Sequence, residues 1–124
     1  MTGSPISDLN PIFLAAGCKL QIGFVGGRNE IPFDENFFTG YRRNVVKPTE
    51  LLLSIKVPFT KQNQYFMAYK QSKRRDDDIA IVNSAFNLTL RDNKVEDIRM
   101  AFGGMAPTTK LGLKSGQALT GMTF

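Results

Sequence analysis

Two short stretches and two isolated residues carry the chemistry that this 124-residue chain could perform. In Ser4-Pro5-Ile6-Ser7-Asp8-Leu9-Asn10-Pro11, prolines fix φ and restrain their predecessors, so hydroxyls and a carboxylate stand on pre-ordered backbone. A side chain held in such a turn is ready for a ligand. Asp8 can cap helix N–H groups or accept a bond from a ligand hydroxyl. The second stretch, Lys73-Arg74-Arg75-Asp76-Asp77-Asp78, sets cations directly before acids. Between strands such a run reads as a solvated loop whose ion pairs contribute only ~0–1 kcal/mol each. Leu52 taken alone is an apolar strand residue of the core, and Lys70 taken alone is a solvated charge. The chain has no histidine, so it can build neither a Ser-His nor a Cys-His couple, nor an imidazole-ligated metal site. Cys18 is its single cysteine, too few for an iron–sulfur cluster. No metal ligands are expected within it.

The elements that must position these residues follow from periodicity and punctuation. A helix is expected over residues 9–16, capped by Ser7 or Asp8 and stopped at Gly17. Lys19 to Val25 alternates as a half-buried strand should. Gly26-Gly27 reads as a hairpin turn and Arg28 to Pro32 as the returning strand. Asp34 to Tyr41, rich in aromatics, predicts one helical turn plus a loop. Glu50 to Val57, which holds Leu52, is strand-like and ends at Pro58. Tyr65 to Lys73 is a strand that carries Lys70 toward the charged run. Ile79 to Arg91 predicts a long strand, Asp92-Asn93 a turn, and Val95 to Phe102 its antiparallel return before Gly103-Gly104. Asn87-Leu88-Thr89 matches a glycosylation acceptor but lies inside a predicted strand. Beyond Thr108 the pattern weakens, and Leu111 to Phe124 reads as the start of an incomplete element. Polar residues between Pro58 and Gln64 divide the chain into residues 1–60 and 61–124.

The wording of these stretches resembles the flavin-binding segment of the molybdenum hydroxylases, the family of the xanthine dehydrogenases and aldehyde oxidases. That family carries Thr-x-Ser-Pro-x-Ser-Asp-x-Asn-Pro, and Thr2, Ser4, Pro5, Ser7, Asp8, Asn10 and Pro11 all fit it. Phe37-Phe38-Thr39-Gly40-Tyr41-Arg42, Glu50-Leu51-Leu52-Leu53-Ser54-Ile55 and Lys70-Gln71 are similar to later landmarks in the family's order. So are Arg74-Arg75-Asp76-Asp77-Asp78-Ile79-Ala80 and Gly103-Gly104-Met105-Ala106. The resemblance implies an α+β fold. Residues 1–60 would end an α+β FAD-binding subdomain. Residues 61–124 would begin a C-terminal subdomain like that of the CO dehydrogenase flavoprotein, a mainly antiparallel three-stranded sheet without its helices. An uncovered sheet leaves an apolar face exposed. The chain is therefore expected to be a fragment of poor independent stability, with the main FAD-phosphate cradle upstream of Met1.

The resemblance also implies roles. Thr2 and Asp8 would position FAD, Leu52 would wall it, and Lys70 would contact it. An ammonium near the electron-rich end of the ring stabilises developing negative charge. Asp77 would lie nearest the ring and tune it, with Arg74 and Arg75 in the mobile or anchoring part of the same loop. A unit charge ~4 Å away amounts to about 4 kcal/mol at an effective dielectric near 20, enough to move a two-electron potential by tens of millivolts. Xanthine dehydrogenases resemble Arg-Arg-Glu/Asp-Asp-Asp-Ile-Ala here, whereas aldehyde oxidases tend to lack the paired acids. The acids thus favour an NAD-using enzyme. The intact enzyme so implied oxidises hypoxanthine to xanthine and xanthine to urate, through molybdopterin, 2Fe-2S clusters and FAD to NAD. It would be a homodimer of cytoplasm or peroxisome, and the isolated fragment would be inactive. The alternatives are an aldehyde oxidase FAD domain, with oxygen as acceptor, and a non-catalytic assembly or binding module.

Composition bounds the partners. The net charge is +5, but cations sit beside acids and no nucleic-acid motif is present, so nucleic acid is not expected to bind. No apolar run approaches the ~20 residues that span a bilayer, and no signal organisation opens the chain. A lone cysteine fits a reducing compartment.

Overall fold

The protein is described over residues 2–124, from a computed structural model. Its first helix forms where proline and glycine punctuate the sequence. Helix α1 (Asn10–Ala16) has Pro11 in its first turn and ends on Gly17 in the left-handed region, φ 69°. The side-chain cap comes from one of the two residues expected to supply it. Ser7 Oγ accepts the Asn10 N–H at 3.3 Å, while Asp8 makes no cap because its carboxylate bonds elsewhere.

Strands β1 (Lys19–Phe24), β2 (Gly27–Pro32) and β5 (Leu51–Lys56) form an antiparallel sheet in the order β2-β1-β5. The hairpin turn is Val25-Gly26, one residue earlier than expected, since Phe24 pairs with Gly27. Gly26 takes φ 96°, and the turn moves to where that freedom is needed. Glu30 of β2 holds both Lys19, at 3.0 Å, and Lys56. These bonds, from Lys56 first and then Lys19, hold the Glu30 carboxyl below its usual range.

The aromatic stretch is not the helical turn that was expected. Phe38–Gly40 (β3) pairs with Arg43–Asn44 (β4) around a turn in which Arg42 has φ 55°. Phe33, Phe37 and Phe38 close into a cluster with centroid separations of 4.7, 5.5 and 5.0 Å, Phe38 edge-on to the other two and Phe33 tilted against Phe37. All three are buried with Leu14, Leu20 and Ile22. Aromatic burial outweighs the local tendency to coil.

The second half is the antiparallel sheet β6 (Gln64–Gln71), β7 (Val82–Arg91), β8 (Lys94–Gly103) and β9 (Lys110–Leu111), in chain order. Three strands are long, as expected, and the two-residue β9 adds a fourth. The β7–β8 turn puts Asp92 and Asn93 at φ 51° and 58°, the pattern of a tight hairpin. Helix α2 (Leu113–Leu119) stands where an incomplete element was expected, so one short helix is present in this half after all. Its Gly116 lets it lie close on β8, where an added Cβ would be 3.0 Å from the Ile98 carbonyl oxygen.

Helix α1 packs on β7 and β8. Ala85 and Ala101 are fully buried beneath it, small enough to let the helix approach. Asn87 Nδ2 donates to the Ala15 carbonyl at 3.1 Å and Asn83 Nδ2 to the Ser7 carbonyl at 2.9 Å. These bonds satisfy carbonyls at both ends of the helical segment. Asn87 is buried within β7, which is incompatible with a glycosylated state of this fold.

The opposite face of this sheet stays open away from α2. Tyr65, Met67, Tyr69, Phe86, Leu88, Leu90 and Phe124 line a cleft of about 530 Å³ there. The three β6 side chains are more than half exposed.

Candidate functional site

The Ser4–Ser7 turn, the end of β6 and the charged loop meet at one edge of the molecule. The Ser7 N–H closes the turn on the Ser4 carbonyl at 3.3 Å, and Asn10 Nδ2 reaches the same oxygen at 3.4 Å. The turn is then pinned from the far end of the sheet. The Gly104 N–H donates to the Pro5 carbonyl at 2.9 Å. A Cβ on Gly103 would lie 2.0 Å from Asn83 Oδ1 and 3.1 Å from the Pro5 oxygen. At Gly104, φ is +81°, and a Cβ would lie 2.2 Å from the Ile81 oxygen. This glycine pair reads from sequence as a turn; its further use is close approach to the Pro5 carbonyl.

Pinned in this way, the turn presents Asp8 to Lys70. The Lys70 ammonium donates to Asp8 Oδ2 at 2.8 Å and also to the Asp78 carbonyl oxygen. It thereby joins residues 62 positions apart and ties both to the loop. Side-chain exposures of 35% for Lys70 and 54% for Asp8 keep the pair in contact with solvent. An ammonium has three N–H groups and a carboxylate two oxygens, so a donor and an acceptor are left over for a ligand.

The loop is organised by Asp78. Its Oδ2 accepts the Arg74 N–H at 2.7 Å and its Oδ1 the Ile79 N–H at 2.9 Å. Those backbone donors, Arg74 first, hold its carboxyl below the usual range. The Arg74 guanidinium donates to the Asp77 carbonyl at 2.6 Å, and Ser72 Oγ donates to the Arg74 carbonyl at 2.6 Å. Asp77 has φ 50°. The Asp77 carboxylate and the Arg75 side chain are exposed, and neither forms a hydrogen bond or ion pair among the described residues.

The remaining candidates lie apart. Leu52 is half-buried and lines a cleft with Asn44, Val46 and Glu50, whereas Lys70 lines another with Gln71, Asn83 and Met105. Thr2 is exposed beside Gly3, which packs on the Arg42 backbone. Asp8, Lys70 and the 74–78 loop are thus joined by direct bonds, while Leu52 lines a different cleft from Lys70 and Thr2 bonds to none of them among the described residues. Asp78 was not singled out from sequence. In a run of identical acids, nothing marks which carboxylate turns inward.

Residues 1–60 match the family described as FAD binding domain in molybdopterin dehydrogenase, and residues 67–124 the CO dehydrogenase flavoprotein C-terminal domain. The chain belongs to the flavoprotein family of the molybdopterin dehydrogenases. Within this flavoprotein family it is 47% identical over 123 residues to the xanthine dehydrogenase/oxidase of Gallus gallus, an alignment covering 98% of this chain. To the xanthine dehydrogenase of Drosophila pseudoobscura pseudoobscura it is 51% identical over 125 residues, 96% of this chain. The chain spans 9% of the length of either relative. Its fold also matches a carbon monoxide dehydrogenase from Hydrogenophaga pseudoflava with a TM-score of 0.92 at 24% identity, over 99% of this chain and 42% of that one. The α+β architecture with antiparallel sheets is therefore that of the flavoprotein family. Among the described residues no helix is long and apolar enough to cross a membrane.

Proposed function

We propose that this chain forms one edge of the FAD site of an NAD-dependent xanthine dehydrogenase. The observation that carries the reading is the junction at Lys70, where one ammonium bonds Asp8 and the Asp78 carbonyl. The residues fit such a ligand: a cation with an unused donor and a carboxylate with an unused oxygen suit ring carbonyls and polyol hydroxyls. Asp8 would accept from a hydroxyl, Lys70 would donate to a ring oxygen, and Thr2 and Leu52 would bound the site's outer parts. Bound FAD supplies the two-electron redox chemistry between molybdopterin and 2Fe-2S modules on one side and NAD on the other. Asp77 would draw a cationic nicotinamide ring toward the site and disfavour added negative charge beside itself, while Arg74 anchors the loop through the Asp77 carbonyl and Arg75 extends from its exposed side. The names of the relatives, xanthine dehydrogenases, support xanthine as a substrate of the full-length protein, and we extend the proposal to hypoxanthine and to a role in purine catabolism. We place that protein in the cytoplasm or peroxisome as a homodimer, with residues 1–60 and 61–124 as parts of two subdomains. The 124-residue segment by itself would be inactive.

The test uses the full-length protein carrying this segment, with xanthine as reductant. Wild type should purify with FAD and reduce NAD. Lys70→Met should lower FAD occupancy. Asp77→Leu should keep FAD but lose NAD reduction by about tenfold, equivalent to ~1.4 kcal/mol of interaction. A wild-type protein without flavin, or undiminished NAD reduction by Asp77→Leu, would refute the reading.

A further inference from the structure

We propose that Asp78 is a positioning residue: its carboxylate holds the 72–78 loop in the conformation that presents Asp77 and Arg74, while its carbonyl anchors that loop to the Lys70–Asp8 pair. The inference rests on the flavin reading for its functional consequence and on geometry alone for its structural one.

Three successive acids fall into two kinds of surroundings. Asp76 and Asp77 are exposed, whereas the Asp78 side chain is only 19% exposed. Both Asp78 oxygens accept backbone N–H groups, from Arg74 at 2.7 Å and from Ile79 at 2.9 Å. One carboxylate therefore clamps the loop across four residues and caps the chain that leaves it. The Arg74 guanidinium lies 3.8 Å from Asp78 Oδ1 while donating to the Asp77 carbonyl at 2.6 Å. Charge on Asp78 thus also steers the arginine. Asp77 sits in the left-handed region at φ 50°, which a non-glycine residue keeps only where its neighbours impose it. Its two neighbours in this role are the Arg74 guanidinium on its carbonyl and the anchored Asp78 after it.

A change of the Asp78 side chain should then move the Asp77 carboxylate while removing neither side chain proposed to contact flavin, Asp8 or Lys70. That separates it from Asp8 and Lys70, whose loss acts on binding. It also separates it from Asp77, whose loss removes the charge and leaves the loop in place. Asn at position 78 retains one acceptor oxygen and Ala retains none, so the two variants should fall in order.

The experiment compares the full-length wild type with Asp78→Asn, Asp78→Ala and, as a control on an exposed neighbour, Asp76→Asn. Hydrogen exchange of the 72–79 segment should rise by about tenfold or more in Asp78→Ala and by less in Asp78→Asn. FAD content should stay at the wild-type level while KM for NAD rises about fivefold or more in Asp78→Ala, with Asp78→Asn between, and Asp76→Asn should match wild type in all three. Unchanged exchange in Asp78→Ala overturns the assignment whatever the flavin content. Raised exchange with wild-type NAD kinetics overturns the positioning role. A wild-type protein lacking FAD instead overturns the flavin reading.

Discussion

Gly104→Ala tests whether the opening turn is held by backbone approach across the chain. Alanine at φ +81° carries left-handed strain of about 1–2 kcal/mol. Its Cβ would also lie 2.2 Å from the Ile81 oxygen and 3.1 Å from Val82 Cα, so the backbone must shift. A shift of this backbone strains the bond from the Gly104 N–H to the Pro5 carbonyl, now 2.9 Å long. Gly104 is exposed and Pro5 half-buried, so losing that bond costs about 0.5–1.5 kcal/mol. Together the loss is about 1.5–3.5 kcal/mol, a sizeable share of the ~5–15 kcal/mol typical of a domain. Gly26→Ala is the matched control, since φ there is +96° with nothing within 4 Å of an added Cβ. It should lose only the conformational part, about 1–2 kcal/mol. Urea unfolding followed by far-UV circular dichroism reads both, a suitable probe because the chain has no tryptophan. Equal midpoint shifts in the two variants would refute the reasoning, because only Gly104 has a neighbour to displace.

The Asp8–Lys70 pair, at 2.8 Å and with exposures of 54% and 35%, should show modest coupling. Coulomb's law in water gives about 1.5 kcal/mol at that distance, and ordering and solvation reduce it to about 0.5–1 kcal/mol. A double-mutant cycle with Asp8→Asn and Lys70→Met should find that coupling and see it shrink in high salt; salt-independent coupling counts against an exposed ion pair. The depressed carboxyl of Asp78 sets a pH window for the loop. Its contribution is present above the unfolded value of about 3.9 and is lost as pH falls through the lower folded value. Nicking within residues 72–79 by an acid protease should therefore stay flat from about pH 6 to pH 5 and rise only below about pH 4. A rise already between those upper values would assign the loop's order to another group.

Strands β1, β7 and β8 were legible because buried positions recur along each and much of period two survives in the sequence. The β7–β8 hairpin is the clearest, with long alternation around Asp92-Asn93. Helix α1 was legible from Pro11 and Gly17 despite its seven residues. Features set by distant partners were not. The ladder of Phe38 with Asn44 depends on an aromatic cluster that forms only in three dimensions. Asp8 reads as a cap until Lys70, from the other half of the chain, claims its carboxylate. Gly103-Gly104 shows glycine's freedom but not which carbonyl needs the room. Helix α2 contains Gly116, which weakens helix propensity, and its reason for being there is the close fit to β8. At the site, the family wording included Asp8, Lys70 and residues 74–78, which the fold joins by direct bonds. It could not distinguish Asp78 from Asp77, since inward and outward acids are spelled alike.

The docking of α1 on β7 and β8 also fixes an order of events in folding. A two-turn helix is too short to persist in water unaided, and its anchors, Asn83 and Asn87, lie 76 and 72 residues from the carbonyls they bond. The β7–β8 hairpin closes locally around two turn residues, and local closure is fast. The hairpin therefore precedes the helix it supports, although the helix leaves the ribosome first. Pulse-labelled exchange during refolding should protect residues 83–103 before residues 10–16; the reverse order would contradict this. Maturation then runs backwards along the chain, and Asp8, early in synthesis, is among the last groups to reach its place.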